Sequence, residues 1–127
     1  MTVPNNLYYT KDHEWADFEA GARVKIGLTD FAQNALGDIV FVELPKINNT
    51  VKAGEVISEV ESTKSVSEIY SPIDGKIVEI NEKLSDMPEL INADPYGDGW
   101  LCIIENHGQN LSEGLLSFDE YSSLIRD

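Results

Sequence analysis

Lys64 is the residue best placed for covalent chemistry in this 127-residue chain. It lies in the small polar run Ser62-Thr63-Lys64-Ser65, between two stretches rich in β-forming residues. A large modifying enzyme reaches a lysine where the amine is unburied and the backbone exposed, and a hairpin tip supplies both on a rigid base. On geometry alone Lys64 remains an ordinary solvated lysine, since most exposed lysines carry no chemistry. Other chemistries find less support. The 23 Asp and Glu residues would allow a hydrolase built on paired carboxylates. No nucleophile elbow, metal-ligand cluster or phosphate-binding glycine loop accompanies them. His13 and His107 are too far apart in sequence for metal-ligand spacing, and His13 reads as structural or exposed. Cys102 is the single cysteine, which leaves no internal disulfide or thiolate pair, and its alternation with Trp100 and Ile104 marks it as a core residue. A plain acidic interaction module is a further reading; its function would survive the loss of Lys64.

The elements that must hold Lys64 are two strands with a reversal between them. In the first arm Val56, Ile57, Glu59, Val60 and Glu61 break strict alternation once, and in the second Val66, Glu68 and Tyr70 alternate with Ser67 and Ile69. The reversal contains neither Gly nor Pro, so composition leaves the turn type open. Beyond it, Ser71-Pro72-Ile73-Asp74-Gly75 predicts a second turn that returns the chain to the sheet. Turn signals recur at short intervals between brief β-rich runs, the pattern of an all-β sandwich or barrel. The predicted strands are Leu7–Tyr9, Trp15–Glu19, Arg23–Gly27, Ile39–Glu43, Glu55–Glu61, Val66–Tyr70, Gly75–Ile80 and Trp100–Glu105.

Helices are few. Thr29 caps a short segment through Phe31, Ala32, Ala35 and Leu36, closed by Gly37. Ser117 and Glu120 form a capping box ahead of Tyr121, Leu124 and Ile125, which predicts a C-terminal helix. A third short helix is expected around Pro88–Ile91, with Pro88 in its first turn. The segments Gly37–Leu44 and Gly75–Glu82 echo each other. Two strands after turns look alike by chance, and a quasi-twofold pair of interlocking sheets would produce the same echo.

Composition bounds the function. Nine Lys and Arg against 23 Asp and Glu give a net charge of −14, which opposes binding to nucleic-acid phosphates or anionic lipid. Such a charge confers solubility, and it also steers a protein towards basic patches on partner proteins. No stretch approaches the roughly 20 apolar residues that span a membrane, and the N-terminus lacks a basic segment followed by an apolar run. A single domain over residues 1–127 in a reducing compartment is expected. Met1 favours a bacterial cytoplasm, with the mitochondrial matrix as the alternative for a mature chain.

Several separated motifs then agree. ESTKS at Glu61–Ser65, GLTDFAQNALGDIVFVELP at Gly27–Pro45, YTKDHEW at Tyr9–Trp15 and DPYGDGWL at Asp94–Leu101 together resemble the H proteins of the glycine cleavage system, in order and over roughly Leu7–Leu124. Lipoyl domains of 2-oxoacid dehydrogenases place Asp before the lysine and biotin carriers flank it with Met, patterns that Thr63 and Ser65 do not match. The resemblance implies a mainly β fold: a flattened β-sandwich or barrel of the lipoyl/biotinyl carrier type, with a lysine-bearing hairpin and a C-terminal helix. It implies lipoate in amide linkage to Lys64, attached by a lipoate ligase or a lipoyl/octanoyl transferase. The arm would take an aminomethyl group from a glycine decarboxylase (P protein) to an aminomethyltransferase (T protein). A dihydrolipoyl dehydrogenase (L protein) would then reoxidise it, and the carrier itself would catalyse nothing. Glu14 and Glu68, with Asp12 a weaker third, occupy the family's positions for holding the loaded arm. A lipoate relay or storage protein is the alternative within the same resemblance. This chain departs from the family pattern at Thr63 and Ser65, where Val and Ala are common, and at Asn34 and Ala35, where a histidine is common.

Overall fold

A computed structural model describes residues 3–126. Among the described residues nine strands and four short helices follow one another: β1 (Tyr8–Tyr9), β2 (Glu14–Asp17), β3 (Arg23–Leu28), α1 (Asp30–Leu36), β4 (Ile39–Glu43), β5 (Thr50–Val51), β6 (Val56–Ser62), β7 (Val66–Tyr70), β8 (Gly75–Ile80), α2 (Lys83–Asp86), α3 (Leu90–Ala93), β9 (Cys102–Glu105) and α4 (Phe118–Ile125). They build a six-stranded sheet, in the order β1-β2-β3-β9-β8-β5, and a three-stranded sheet, β4-β6-β7. Every strand pair is antiparallel.

The apolar alternation read from the sequence becomes the core between these sheets. Val24, Ile26, Ile77, Cys102 and Ile104 from the large sheet and Val42, Val60 and Ile69 from the small one belong to one buried cluster. The interrupted alternation in the first hairpin arm is a β-bulge: the β6–β7 register shifts between Val56 and Ser58, so Ile57 and Ser58 are buried in succession. Ser58 escapes the cost of an unpaired hydroxyl by donating to the Glu43 carbonyl at 2.7 Å.

A second buried cluster joins the motif segments far apart in sequence. Tyr9 and Tyr121 stack at 4.5 Å, Trp15 donates its indole N–H to the Pro95 carbonyl at 3.0 Å, and the Tyr96 hydroxyl accepts the Asp30 N–H at 3.0 Å. α4 is anchored here through Tyr121, and its predicted capping box between Ser117 and Glu120 is formed.

The helices correct part of the sequence reading. α1 has the expected cap, with Thr29 Oγ1 accepting the Ala32 N–H at 3.2 Å and Gly37 closing it. Pro88 stands ahead of α3 and not in its first turn, because the helix starts at Leu90 after Glu89. α2 and the two-residue β5 were not predicted, being too short for periodicity to mark them. The echoed segments form β4 and β8, which lie in sheets of unequal size. Each opens at a glycine of positive φ, Gly37 at 84° and Gly75 at 153°. A Cβ on Gly75 would stand 2.5 Å from Ile104 Cγ2, so the close approach of β8 to β9 excludes a side chain there.

Candidate functional site

Lys64 occupies the tip of the β6–β7 hairpin, exposed with its neighbours Thr63 and Ser65. The turn without Gly or Pro is built by Ser62. Its hydroxyl accepts the N–H groups of Lys64 at 3.2 Å and Ser65 at 3.1 Å and donates to the Ser65 carbonyl at 3.2 Å. The Ser62 N–H also donates to that carbonyl, at 2.8 Å. A serine hydroxyl thereby supplies the local hydrogen bonds of the turn. Thr63 donates its N–H to the Asp38 carbonyl at 3.0 Å, which ties the tip to the corner between α1 and β4. The Lys64 ammonium joins neither of the salt bridges found among the described residues.

The three acids meet around Tyr70, at the other end of β7. Lys64 precedes Glu68 by four residues and Tyr70 by six, about 13 and 20 Å along a strand. Glu14, the first residue of β2, is 1% exposed. One oxygen accepts the Thr10 hydroxyl at 2.6 Å and the other the Tyr70 N–H at 3.2 Å, which bonds β2 of the large sheet to β7 of the small one. Burial pushes the Glu14 carboxyl up to about 7, against the lowering effect of these two bonds and with a small further push from Asp12. Glu68 is exposed, with Oε1 3.5 Å from the Tyr70 hydroxyl, and Asp12 is exposed beside the same cleft. The negative charge of Glu68, foremost, raises the Tyr70 phenol pKa. The cleft, about 380 Å³, is lined by Thr10, Asp12, Glu14, Tyr70, Pro72 and Leu115 among others. A buried carboxyl near its titration point, with two more carboxylates outside it, suits a small cation through charge-assisted hydrogen bonds.

Tyr70 and Thr10 were missed in the sequence. Tyr70 read as the end of a strand and Thr10 as part of a motif, and neither type signals a site until the fold closes. His13 is structural: its Nδ1 lies 2.8 Å from the Tyr121 hydroxyl and its ring packs on Phe31 at 4.5 Å. Cys102 is wholly buried, and its thiol is pushed up to about 12. No group of His, Cys, Asp and Glu among the described residues could hold a metal ion. No helix among them is long and apolar enough to cross a membrane.

The outer face of the small sheet adjoins the tip. Register sets Phe41, Glu61 and Val66 in one cross-strand row and Glu43, Glu59 and Glu68 in the next. Phe41 and Val66 are 51% and 57% exposed, so an apolar spot near the tip borders a row of carboxylates that joins no salt bridge among the described residues.

Residues 7–127 match the family described as Glycine cleavage H-protein. The chain is 48% identical to the glycine cleavage system H protein of Coprothermobacter proteolyticus over 125 residues, 98% of each. It is 48% identical to that of Oceanobacillus iheyensis over 127 residues, the whole of both. Among solved structures, the glycine cleavage system H protein of Mycobacterium marinum superposes with a TM-score of 0.86 at 44% identity, covering 95% of this chain and 97% of the other. The chain therefore belongs to the glycine cleavage H-protein family, the lipoyl-bearing aminomethyl carriers of the glycine cleavage system.

Proposed function

We propose that Lys64 is the attachment point of the lipoyl arm and that the chain works as a single, non-catalytic carrier domain in the cytoplasm. The observation that carries this reading is the position of Lys64: exposed, at a tip whose backbone is fixed by Ser62 and Asp38, and free of any salt bridge among the described residues. The site fits the group. A lysine so placed can be acylated without displacing a structural contact, and amide formation removes its charge. When bound, lipoate would supply a disulfide that is reduced as one sulfur takes up a carbon unit and is re-formed afterwards by oxidation of the two thiols.

The chain's own contribution is tethering, which keeps a loaded arm at high local concentration among glycine decarboxylase, aminomethyltransferase and dihydrolipoyl dehydrogenase. A lipoate ligase or lipoyl/octanoyl transferase attaches the group. Glu14, Glu68 and Asp12 serve as acceptors for the cationic end of the loaded arm, and the walls of the cleft limit the access of water to it. Reconstituted glycine decarboxylation tests the reading. The lipoylated wild type supports carbon dioxide exchange, and Lys64→Arg does not. Glu14→Gln and Glu68→Gln lose the bound aminomethyl group faster than wild type. Exchange supported by Lys64→Arg would remove Lys64 from its role, and release at wild-type rates from both acid variants would remove the cleft from its own.

A further inference from the structure

We propose that Asn92 is the positioning residue for Lys64, acting across the α1–β4 corner; the inference rests on Lys64 being the modified lysine. Asn92 lies on α3, nearly thirty residues away in sequence. Its amide makes contacts on both sides. Oδ1 accepts the Ile39 N–H at 2.9 Å, and Nδ2 donates to the Gly37 carbonyl at 2.9 Å and to Gln33 Oε1 at 2.9 Å. The Ile39 N–H is an obligate donor, so the orientation of the amide is fixed by the backbone it meets.

The corner needs such a clamp. Gly37 adopts φ 84° and ψ −162°, outside helix and strand, so no regular ladder holds residues 37–38. The β4–β6 register is itself irregular between Ile39 and Phe41. Two contacts pass from this corner to the hairpin tip. The Asp38 carbonyl accepts the Thr63 N–H at 3.0 Å, one residue before Lys64. The Lys64 stem lies over Gly37, with Cε only 3.4 Å from where a Cβ would stand. Asn92 thus fixes the surface on which the tip and the lysine stem rest. A reacting amine displaced by a fraction of an ångström loses rate steeply, so removal of the clamp reaches the chemistry at Lys64.

Gln33 separates positioning from plain stabilisation, because Gln33→Ala removes one Asn92 hydrogen bond and leaves the corner clamped. The experiment compares wild type, Asn92→Ala and Gln33→Ala at a temperature where all three are folded. It measures amide exchange at Thr63 and the steady-state rate of lipoyl attachment by a lipoate ligase. Asn92→Ala is expected to exchange Thr63 about tenfold faster, with β8–β9 amides unchanged. Its attachment kcat/KM is expected to fall about tenfold. Gln33→Ala should match wild type in both. Wild-type Thr63 exchange in Asn92→Ala, or equal slowing of attachment in both variants, would overturn the inference. Thr63 exchange is read on the unmodified protein, so the clamp is tested even if Lys64 proves not to be the acceptor. That latter failure would show instead as no lipoyl mass on Lys64 in the wild type.

Discussion

Glu14 is held under opposing pressures, and its titration gives a prediction. The folded protein raises its pKa from the ordinary 4.5 to about 7, chiefly by burial. An acid raised on folding holds its proton more tightly in the folded state. Stability from this group is therefore full below about pH 4.5 and is lost as pH rises through 7. The shift corresponds to about 3 kcal/mol. Glu14→Gln cannot titrate, so its stability relative to wild type should rise by up to that amount between pH 5 and pH 8 in urea unfolding. His13, whose pKa is lowered by burial, acts in the opposite sense but is common to both proteins and cancels. A difference that stays constant with pH would show that Glu14 does not titrate as its burial implies. None of this was legible from the sequence, where Glu14 is one acid among 23. Only the closure of β2 against β7 buries it. Lys64 is the converse: its place at a tip could be read from the flanking alternation, while the device that makes the turn, the Ser62 hydroxyl, could not.

At the scale of elements, the β4-β6-β7 sheet carries a cost on its outer face. Glu43, Glu59 and Glu68 stand directly across from one another, and none joins the salt bridges among the described residues. Like charges in directly opposed positions are destabilising, by roughly 0.2–1 kcal/mol per pair. Glu59, the middle member, opposes both others, so Glu59→Gln should raise the melting temperature, and added salt should reduce the gain. A lower melting temperature at low salt would mean that the row is compensated by other contacts. The strands of this sheet were legible because their alternation and even their bulge are written in Val56–Tyr70. β5 and α2 were not, since two and four residues hold no period. Pro88 misled the reading of α3 because a proline suits both a first helical turn and the turn before it.

Across the whole molecule, one end of the hairpin presents an amine and the other a carboxyl-lined cleft, with a net charge of −14 around them. That separation suits a carrier. An arm anchored at Lys64, as proposed, would lie where enzymes can reach it and, along β7, would have a place to retreat. The pattern of turns and short strands predicts a β-sandwich or barrel, which the two antiparallel sheets bear out, and the family's motifs are distributed over the whole fold: Trp15 meets Pro95, and Asp30 meets Tyr96. What sequence could not supply is the joining of those motifs in space, including the Asn92 clamp. Intact mass after incubation with lipoate and its ligase, followed by peptide mapping, tests the central claim most directly. The account predicts one lipoyl increment on the wild type, located at Lys64, and none on Lys64→Arg; an increment on both proteins would contradict it.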